Sequence, residues 1–388
     1  MSDLEREPLF FPGEEIHQIR VERVAAALRR HDLAGLLLLK HDAVRYVTGF
    51  YAKGYRPFID FDYAALVPRD GDTVLGYTVG GEERRIALRS RVAESVRLPS
   101  FSRWGGGLAD LLRRCGVTTG RLGFDILPHF IFEELRAVFP NLELVDASGI
   151  WADLTAVKHP LEISMIEQAL RIAEAGVAAA MEAIRPGVTE IEVSAAAEYT
   201  MRAMGSEMNP FIPVVASGAN AAVWERVATH RTLASGDMVI LDFGSVYNGY
   251  TGDFARTTIV GEPTVAQRAL YRAAYDSLMA AIAAVRPGVL CSEIDRIGRE
   301  VITAAGFAAY AQPWAIGHQL GFGLHGEPVL GPGVDVPLQV GMVVNIEPSL
   351  YTFDDLAVGG VELEDTILVT ETGSRRLTDF PYELRLLA

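Results

Sequence analysis

The chain has 388 residues, of which 49% are hydrophobic and 22% are charged, and its formal net charge at pH 7 is −15. This composition excludes an intrinsically disordered protein, and the length predicts two folded domains. The acidic excess argues against nucleic acid and anionic membranes as partners, because both repel negative charge. Two distant cysteines, Cys115 and Cys291, predict neither a disulfide framework nor a cysteine-based zinc site.

The first elements of the chain predict an α/β domain over residues 1–155. Residues 14–33 have the apolar spacing of an amphipathic helix, and residues 36–39 and the segment that begins at Tyr63 have the pattern of buried strands. This domain contains no catalytic motif. The N-terminal residues lack the regions of a signal peptide, and no early apolar run is long enough to span a bilayer, so we expect a cytoplasmic protein.

The second predicted domain, residues 156–388, contains an internal repeat. His159-Pro160 marks the start of its first long helix, since proline suits the first helical turn. The sequence Arg185-Pro-Gly-Val after that helix recurs 101 residues later, and Gly236 and Gly341, which are 105 residues apart, each precede a strand with an acid six residues on. The two matches are offset by nearly the same number of residues, 101 and 105. They predict two similar halves, each helix–turn–helix–strand, which are related by a pseudo-twofold axis and have a site between them.

Two aspartates in the first half are predicted to lie side by side. Asp242 ends an apolar strand, and Asn248-Gly249 is a strong signal for a two-residue hairpin turn. That turn would pair Gly244 with Asp253, so Asp242 and Asp253 become diagonal neighbours on one face. Two such carboxylates need positive charge between them. The alternative is that one aspartate caps a turn and the other is solvated.

Five further acidic or histidine side chains follow in the second half. His318 and His325 lie in a glycine-rich segment that must bend if both serve one site, because seven residues separate them. Glu347 ends a second apolar strand, and Glu362 and Glu364 alternate with apolar residues, so both project to one face. The alternatives are a core histidine, a strand-end cap and a solvated pair of acids. Oxygen-rich ligation with one imidazole suits manganese, iron(II), cobalt or zinc.

These motifs, in this order and with these intervals, resemble the pita-bread metallopeptidase family, which includes prolidase (Xaa-Pro dipeptidase), aminopeptidase P and creatinase. The resemblance extends over the whole chain, and Val47-Thr48-Gly49-Phe50 resembles a signature of the N-terminal domain. It implies an α/β (α+β) protein, in which a creatinase-like N-terminal α/β domain precedes a pseudo-twofold pita-bread catalytic domain. It also implies a homodimer.

The resemblance assigns roles to the acidic and histidine side chains. It implies that Asp242 and Asp253 bind a first divalent metal ion, that His318 and Glu347 bind a second, and that Asp253 and Glu364 bridge the two. Manganese is the metal we expect first, and a water between the metals would attack the amide. Glu347 would also act as general base and acid. A further side chain, that of His325, would stabilise charge on the attacked carbonyl oxygen and contact the substrate.

Two positions depart from the peptidase pattern. Glu225 occupies the place of a substrate-binding histidine, 17 residues before Asp242, and Glu362 occupies the place of an arginine. Both changes make the pocket more acidic. We hypothesise that Glu225 or Glu362 pairs with a cationic group of the substrate. The alternative is that Arg226 or Arg256 neutralises Glu362 and cleavage of proline peptides persists.

Three functions remain open from the sequence. The first is a dinuclear metal-dependent hydrolase of the Xaa-Pro dipeptidase or aminopeptidase type, with a dipeptide or small molecule as substrate. The second is a hydrolase of a small non-peptide C–N bond, of the creatinase or ectoine hydrolase kind. The third is a catalytically inactive binding protein on the same fold.

Overall fold

The computed structural model describes residues 13–51, 62–225 and 227–388. They divide into two units between Leu154 and Thr155. Within these ranges, no helix combines the length and the hydropathy needed to cross a membrane.

The N-terminal unit is built on a six-stranded mixed sheet with the strand order β4-β3-β2-β1-β5-β6. Strands β1, β5 and β6 run parallel, as do β3 and β4, whereas β2 is antiparallel to both of its neighbours. The strands are β1 Gly35–Leu38, β2 Tyr63–Pro68, β3 Val74–Tyr77, β4 Glu94–Arg97, β5 Gly120–Phe124 and β6 Leu142–Asp146. The helices are α1 Glu14–Arg30, α2 His41–Thr48, α3 Glu83–Arg89, α4 Trp104–Arg114, α5 His129–Val138 and α6 Ser148–Ala156.

The predicted first helix is confirmed with an earlier end, and the strand predicted at residues 36–39 is confirmed one residue earlier, at Gly35–Leu38. Helix α1 ends at Arg30, three residues before the predicted end, and the backbone N–H of Leu33 then bonds to the carbonyl of Leu28. Strand β1 is buried at every position, as expected for a strand inside a sheet covered on both faces.

The C-terminal unit contains two similar sets of helices and strands. The helices are α7 Pro160–Ala183, α8 Glu190–Ala203, α9 Ala219–Ala222, α10 Val265–Ala284, α11 Cys291–Ala304 and α12 Leu384–Leu387. The strands of the first half are β7 Val214–Ser217, β8 Met238–Tyr247 and β9 Tyr250–Ile259. Those of the second half are β10 Gly317–Gly321, β11 Gly323–Leu330, β12 Val343–Ile346, β13 Ser349–Tyr351, β14 Gly360–Glu362, β15 Asp365–Thr370 and β16 Gly373–Arg376.

The repeat seen in the sequence corresponds to matching structural elements. Helices α7 and α10 each end in an Arg-Pro-Gly turn, whose glycines Gly187 and Gly288 have φ values of 90° and 85°. A 14-residue helix, α8 or α11, follows each turn. The glycines that precede β8 and β12, Gly236 and Gly341, also have positive φ values of 93° and 88°. Glycine is favoured there because side chains rarely adopt this region.

Each half of the C-terminal unit packs its helices on its own sheet. The first sheet has the strand order β7-β8-β9 and the second β11-β10-β12-β15-β16. Apolar faces of α7 and α8 bury against β8 and β9, and those of α10 and α11 against β11, β12 and β15. Each sheet therefore presents its other face towards the interior of the unit, where the acidic side chains gather.

A buried ion pair joins β9 to β15. Arg256 and Asp365 are 2.9 Å apart, and both side chains are almost fully buried. The guanidinium lies 4.3 Å and 4.4 Å from the ring centroids of Phe254 and Tyr382, and it also donates to the backbone carbonyl of Glu364 at 2.6 Å. The pair therefore fixes the backbone that carries Glu364.

Replacing Arg256 by methionine should lower the free energy of unfolding by about 3–5 kcal/mol, because the Asp365 carboxylate would remain buried without its cation. Urea unfolding measures this change. The control is Arg272→Met on α10, which breaks an exposed pair with Asp276 and should cost less than about 1 kcal/mol. Similar losses of unfolding free energy in the two variants would contradict a stabilising role for the buried pair.

Candidate metal centre

The β8–β9 hairpin brings Asp242 and Asp253 together. Gly244 pairs with Asp253 and Asp242 with Ala255, as predicted. The turn residues Asn248 and Gly249 both have positive φ, 52° and 85°, as a tight hairpin turn requires. Both aspartates are buried, so the alternative in which one of them is solvated is wrong.

The second sheet places His318 between these aspartates and Glu347. Strands β10 and β12 pair so that His318 lies opposite Asn345, and Glu347 follows directly after β12. The Nε2 atom of His318 lies 3.6 Å from an oxygen of Asp253 and 3.5 Å from an oxygen of Glu347. The imidazole therefore joins a carboxylate of the first half to one of the second.

Glu364 completes the cluster from the connection between β14 and β15. Its backbone N–H donates to the carbonyl of Ala255 at 3.1 Å, and the Asn345 side-chain amide donates to its carboxylate. Asp253, His318 and Glu364 each offer a ligand atom, and these atoms lie within 4.8 Å of one another. Glu362 and Glu364 are 2% and 1% exposed, so the alternative of a solvated pair of acids at this strand is wrong.

Burial and mutual repulsion govern the protonation of this cluster. The pKa of Glu364 is raised well above its usual value by burial first, and then by the charges of Asp253, Glu347, Asp242 and Glu362. These carboxylates disfavour one another's ionised forms unless positive charge lies among them.

His318 is held neutral with one ring nitrogen directed at the acids. Burial and then the charge of His325 lower its pKa to about 3, although a bond to the Gln319 carbonyl opposes the shift. That bond, 3.0 Å from Nδ1, assigns the proton to Nδ1. The lone pair of Nε2 is then available to a metal ion, which is how histidine ligands are usually oriented.

The donor set fits a pair of divalent cations. Carboxylate oxygens and one neutral imidazole suit manganese and similar ions, and bound cations would relieve the repulsion that raises the pKa of Glu364. The cavity above the cluster has a volume of about 230 Å³. It is lined by acidic and histidine side chains and by four apolar ones: Asp242, Asp253, His325, Glu347, Glu364, Phe211, Ile212, Val227 and Leu324.

His325 reaches the cluster through the predicted bend. Strands β10 and β11 form an antiparallel pair around Phe322, with Gly321 opposite Gly323, whose φ is 107°. The rings of His318 and His325 meet edge to face, with centroids 4.4 Å apart. Both histidines therefore belong to one site, and His325 also lines the cavity.

The two unusual acids occupy different surroundings. Glu362 is 2% exposed and accepts a hydrogen bond from the hydroxyl of Tyr351 at 3.0 Å. Glu225 is partly buried, and its carboxylate accepts from the N–H of Val227 at 3.3 Å. Arg256 forms its ion pair with Asp365. Arg226 lies outside the described residues.

Sequence reasoning missed Glu190, which organises the loop beside the cavity. This buried carboxylate accepts hydrogen bonds from Ser217, Asn220 and Thr229, at distances from 2.6 to 3.1 Å. The loop between Ser217 and Thr229 includes Val227, which lines the cavity. In the sequence, Glu190 follows Thr189 at a helix start and has the pattern of an ordinary first-turn acid. Nothing there indicated a contact with residues about 30 positions away.

A buried cluster of four carboxylates and an imidazole, held between two similar half-domains, defines a metallohydrolase. Residues 164–371 match the metallopeptidase family M24, and residues 20–157 match the creatinase/prolidase N-terminal domain. The chain belongs to metallopeptidase family M24, and its fold is a creatinase-type N-terminal domain followed by a pita-bread catalytic domain.

Curated relatives and solved structures agree with this assignment. The chain is 38% identical to the Xaa-Pro dipeptidase of Pyrococcus furiosus over 368 residues, which cover 94% of this chain and 99% of that protein. The crystal structure of the prolidase from Pyrococcus horikoshii OT3 superposes with a TM-score of 0.81 at 28% identity, over 94% of this chain and 99% of that one. The Xaa-Pro dipeptidase structure from Bacillus anthracis gives 0.82 at 28% identity, over 95% and 99% of the two chains.

Replacing Glu190 by glutamine should loosen the loop between Ser217 and Thr229, because an amide offers one acceptor oxygen where the carboxylate offers two. We expect faster hydrogen exchange at the backbone amides of Ser217 and Thr229, measured by mass spectrometry. The matched control is Glu192→Gln, in the exposed capping box of the same helix. Equal exchange in the wild type and Glu190→Gln would contradict the role.

Proposed function

We propose that this chain is an Xaa-Pro peptidase that hydrolyses the amide bond before proline in small peptides. The observation that carries the proposal is the convergence of Asp253, His318 and Glu364 from both half-domains, with ligand atoms within 4.8 Å of one another. The names of the relatives support the substrate class, because they are Xaa-Pro dipeptidases over nearly the full chain. A cytoplasmic homodimer is part of the same proposal.

Five side chains would hold two divalent cations in this proposal: Asp242, Asp253, His318, Glu347 and Glu364. Manganese is the ion that we expect first, and cobalt, zinc or iron(II) fit the same ligands. When bound, the cations would lower the pKa of water and polarise the substrate carbonyl.

Glu347 and His325 would handle the proton and the developing charge. The side chain of Glu347 is 22% exposed, whereas those of His318 and Asp253 are 5% and 7% exposed. Glu347 can therefore take a proton from the attacking water and return it to the leaving nitrogen. His325 would donate a hydrogen bond to the carbonyl oxygen as negative charge grows there.

A second candidate function is supported by the buried acid Glu362. Its carboxylate lies near a cluster that already contains four carboxylates, and its charge contributes to the raised pKa of Glu364. This acidity favours a small substrate with an amine, amidine or guanidinium group, which Glu225 could pair with at the partly exposed loop. Hydrolysis of a non-peptide C–N bond would then replace peptide cleavage.

Metal content and activity together test the first proposal. Purified protein given manganese should bind about two ions per chain and cleave Ala-Pro but not Ala-Ala, and chelation should abolish turnover. Replacing His318 by alanine should lower the bound metal, whereas His129→Ala, at an exposed helix start, should not. Less than about one ion per chain, together with no turnover, would favour the inactive binding protein.

The charge-pairing hypothesis has a separate test. Glu225→Gln should lower kcat/KM for a cationic substrate such as creatine about tenfold or more, because a charged hydrogen bond becomes neutral, and should leave Ala-Pro nearly unchanged. Glu262→Gln, at a distant exposed turn, is the control. Equal losses on both substrates would count against pairing with Glu225.

A further inference from the structure

The strand that carries His325 pairs irregularly with its neighbour. Three residue pairs define the antiparallel register of β10 and β11: Gly317–Leu330, Gln319–Gly326 and Gly321–Gly323. Two residue steps along β10 therefore correspond to four steps along β11 in the first interval and to three in the second, which contains His325. Such bulges interrupt the ladder of hydrogen bonds and redirect the side chains beside them. The direction of His325 therefore depends on bonds outside the ladder.

A side-chain hydrogen bond joins the two strands within this irregular stretch. The amide of Gln319, which is 2% exposed, donates to the carbonyl of Glu327 at 2.7 Å, two residues after His325. Successive side chains of a strand point to opposite faces, so Gln319 lies on the face of β10 away from His318 and the acids. This bond therefore holds β11 from the side that faces away from the reaction site.

Lys158 holds the side chain of Gln319 in turn. Its ammonium donates to the side-chain carbonyl of Gln319, and it also donates to the backbone carbonyl of Ala156 at 3.0 Å. The lysine is 6% exposed, and its stem lies against Gly321, where an added Cβ would be 2.7 Å from the lysine Cε. Because an ammonium only donates hydrogen bonds, it fixes the amide with its oxygen towards Lys158 and its NH₂ towards Glu327.

The backbone of Lys158 is itself fixed beside β12. Its N–H donates to the carbonyl of Gly341 at 2.9 Å, and Val157 pairs with Met342 just before that strand. Helix α7 then begins at Pro160. The ammonium is therefore presented to Gln319 from a segment that is hydrogen-bonded to the second sheet.

The tip of the β10–β11 hairpin has a separate support. The ring of Phe322 meets that of Tyr250 edge to face, with centroids 5.2 Å apart, and the hydroxyl of Tyr250 donates to Glu162 at 2.8 Å. Loss of the Lys158 ammonium should therefore disturb the stretch of β11 around His325 and leave the tip in place.

We infer that Lys158 is a positioning residue for His325, which acts through Gln319 and the backbone of β11. The inference rests on the proposed function, in which His325 stabilises charge on the attacked carbonyl oxygen. A displacement of about 1 Å at a group in a reaction site can lower the rate about a hundredfold. The lysine thus contributes to catalysis only as far as it keeps the imidazole in place.

Kinetics of the manganese-treated protein with Ala-Pro test this role. Lys158→Met keeps the stem and removes the ammonium, so kcat should fall about tenfold or more while KM changes less than about twofold, because the lost interaction belongs to the transition state. Gln319→Leu removes the bond to Glu327 and should have the same effect, and it tests the same link if Lys158→Met does not fold.

The matched control is Arg296→Met on α11. Its exposed guanidinium pairs with Glu293 and Glu300, so kcat and KM should stay at their wild-type values. A rise in KM with kcat unchanged in both Lys158→Met and Gln319→Leu would overturn the inference.

A double-mutant cycle separates positioning from general stability. In a His325→Ala background, Lys158→Met should lower kcat by less than about twofold, because the residue through which it acts is absent. A loss in that background as large as the loss in the wild type would show that Lys158 acts by another route, and the inference would fail.

Metal content and hydrogen exchange separate this inference from the proposed function. Lys158→Met should bind as much manganese as the wild type, and the peptide that covers residues 323–330 should exchange its amide hydrogens about tenfold faster, measured by mass spectrometry. If the wild type cleaves no Xaa-Pro dipeptide, the peptidase proposal fails, but faster exchange confined to this peptide still supports Lys158 as the residue that holds the strand of His325. Unchanged exchange there, or faster exchange throughout residues 155–388, would overturn the inference.

Discussion

Repulsion among buried carboxylates is the constraint on which the catalytic unit depends. Two like charges 4 Å apart cost about 4 kcal/mol at the effective dielectric constant of a protein surface, and more in its interior. Asp242, Asp253, Glu347 and Glu364 converge in one place, and their charges and burial raise the pKa of Glu364. Such a cluster stays ionised only around positive charge, which is why its residues suit divalent cations.

The duplicated fold makes this arrangement possible because each half contributes different side chains to the cluster. The β8–β9 hairpin contributes two aspartates at a register fixed by the Asn248-Gly249 turn. The second sheet contributes His318, whose Nε2 lies within 3.6 Å of Asp253. Helices packed on the outer faces of both sheets leave the inner faces for polar groups. The acids are therefore held by rigid strands, and loops supply the surrounding pocket.

Around this centre, charged residues hold backbone segments through hydrogen bonds. Arg256 fixes the chain at Glu364, Glu190 tethers the loop with Trp224, and Arg299 with Asp295 fixes the segment with Trp314. Each forms hydrogen bonds with several backbone groups, so each can hold a segment in one conformation. The acidic cluster at this centre agrees with membership of metallopeptidase family M24.

The sequence by itself determined the elements whose signals are local. The hairpin register, the bend between His318 and His325 and the repeated helix–turn–helix units follow from turn residues, glycines and apolar spacing, which act over a few residues. The stacking of Trp224 on Trp314 and the hydrogen bonds to Glu190 join residues that are distant in sequence. Only tertiary packing decides such contacts, because the local sequence around a side chain does not indicate which distant residue it will contact. For the same reason, Arg256 could be predicted as a cation near the site, but its pairing with Asp365 could not.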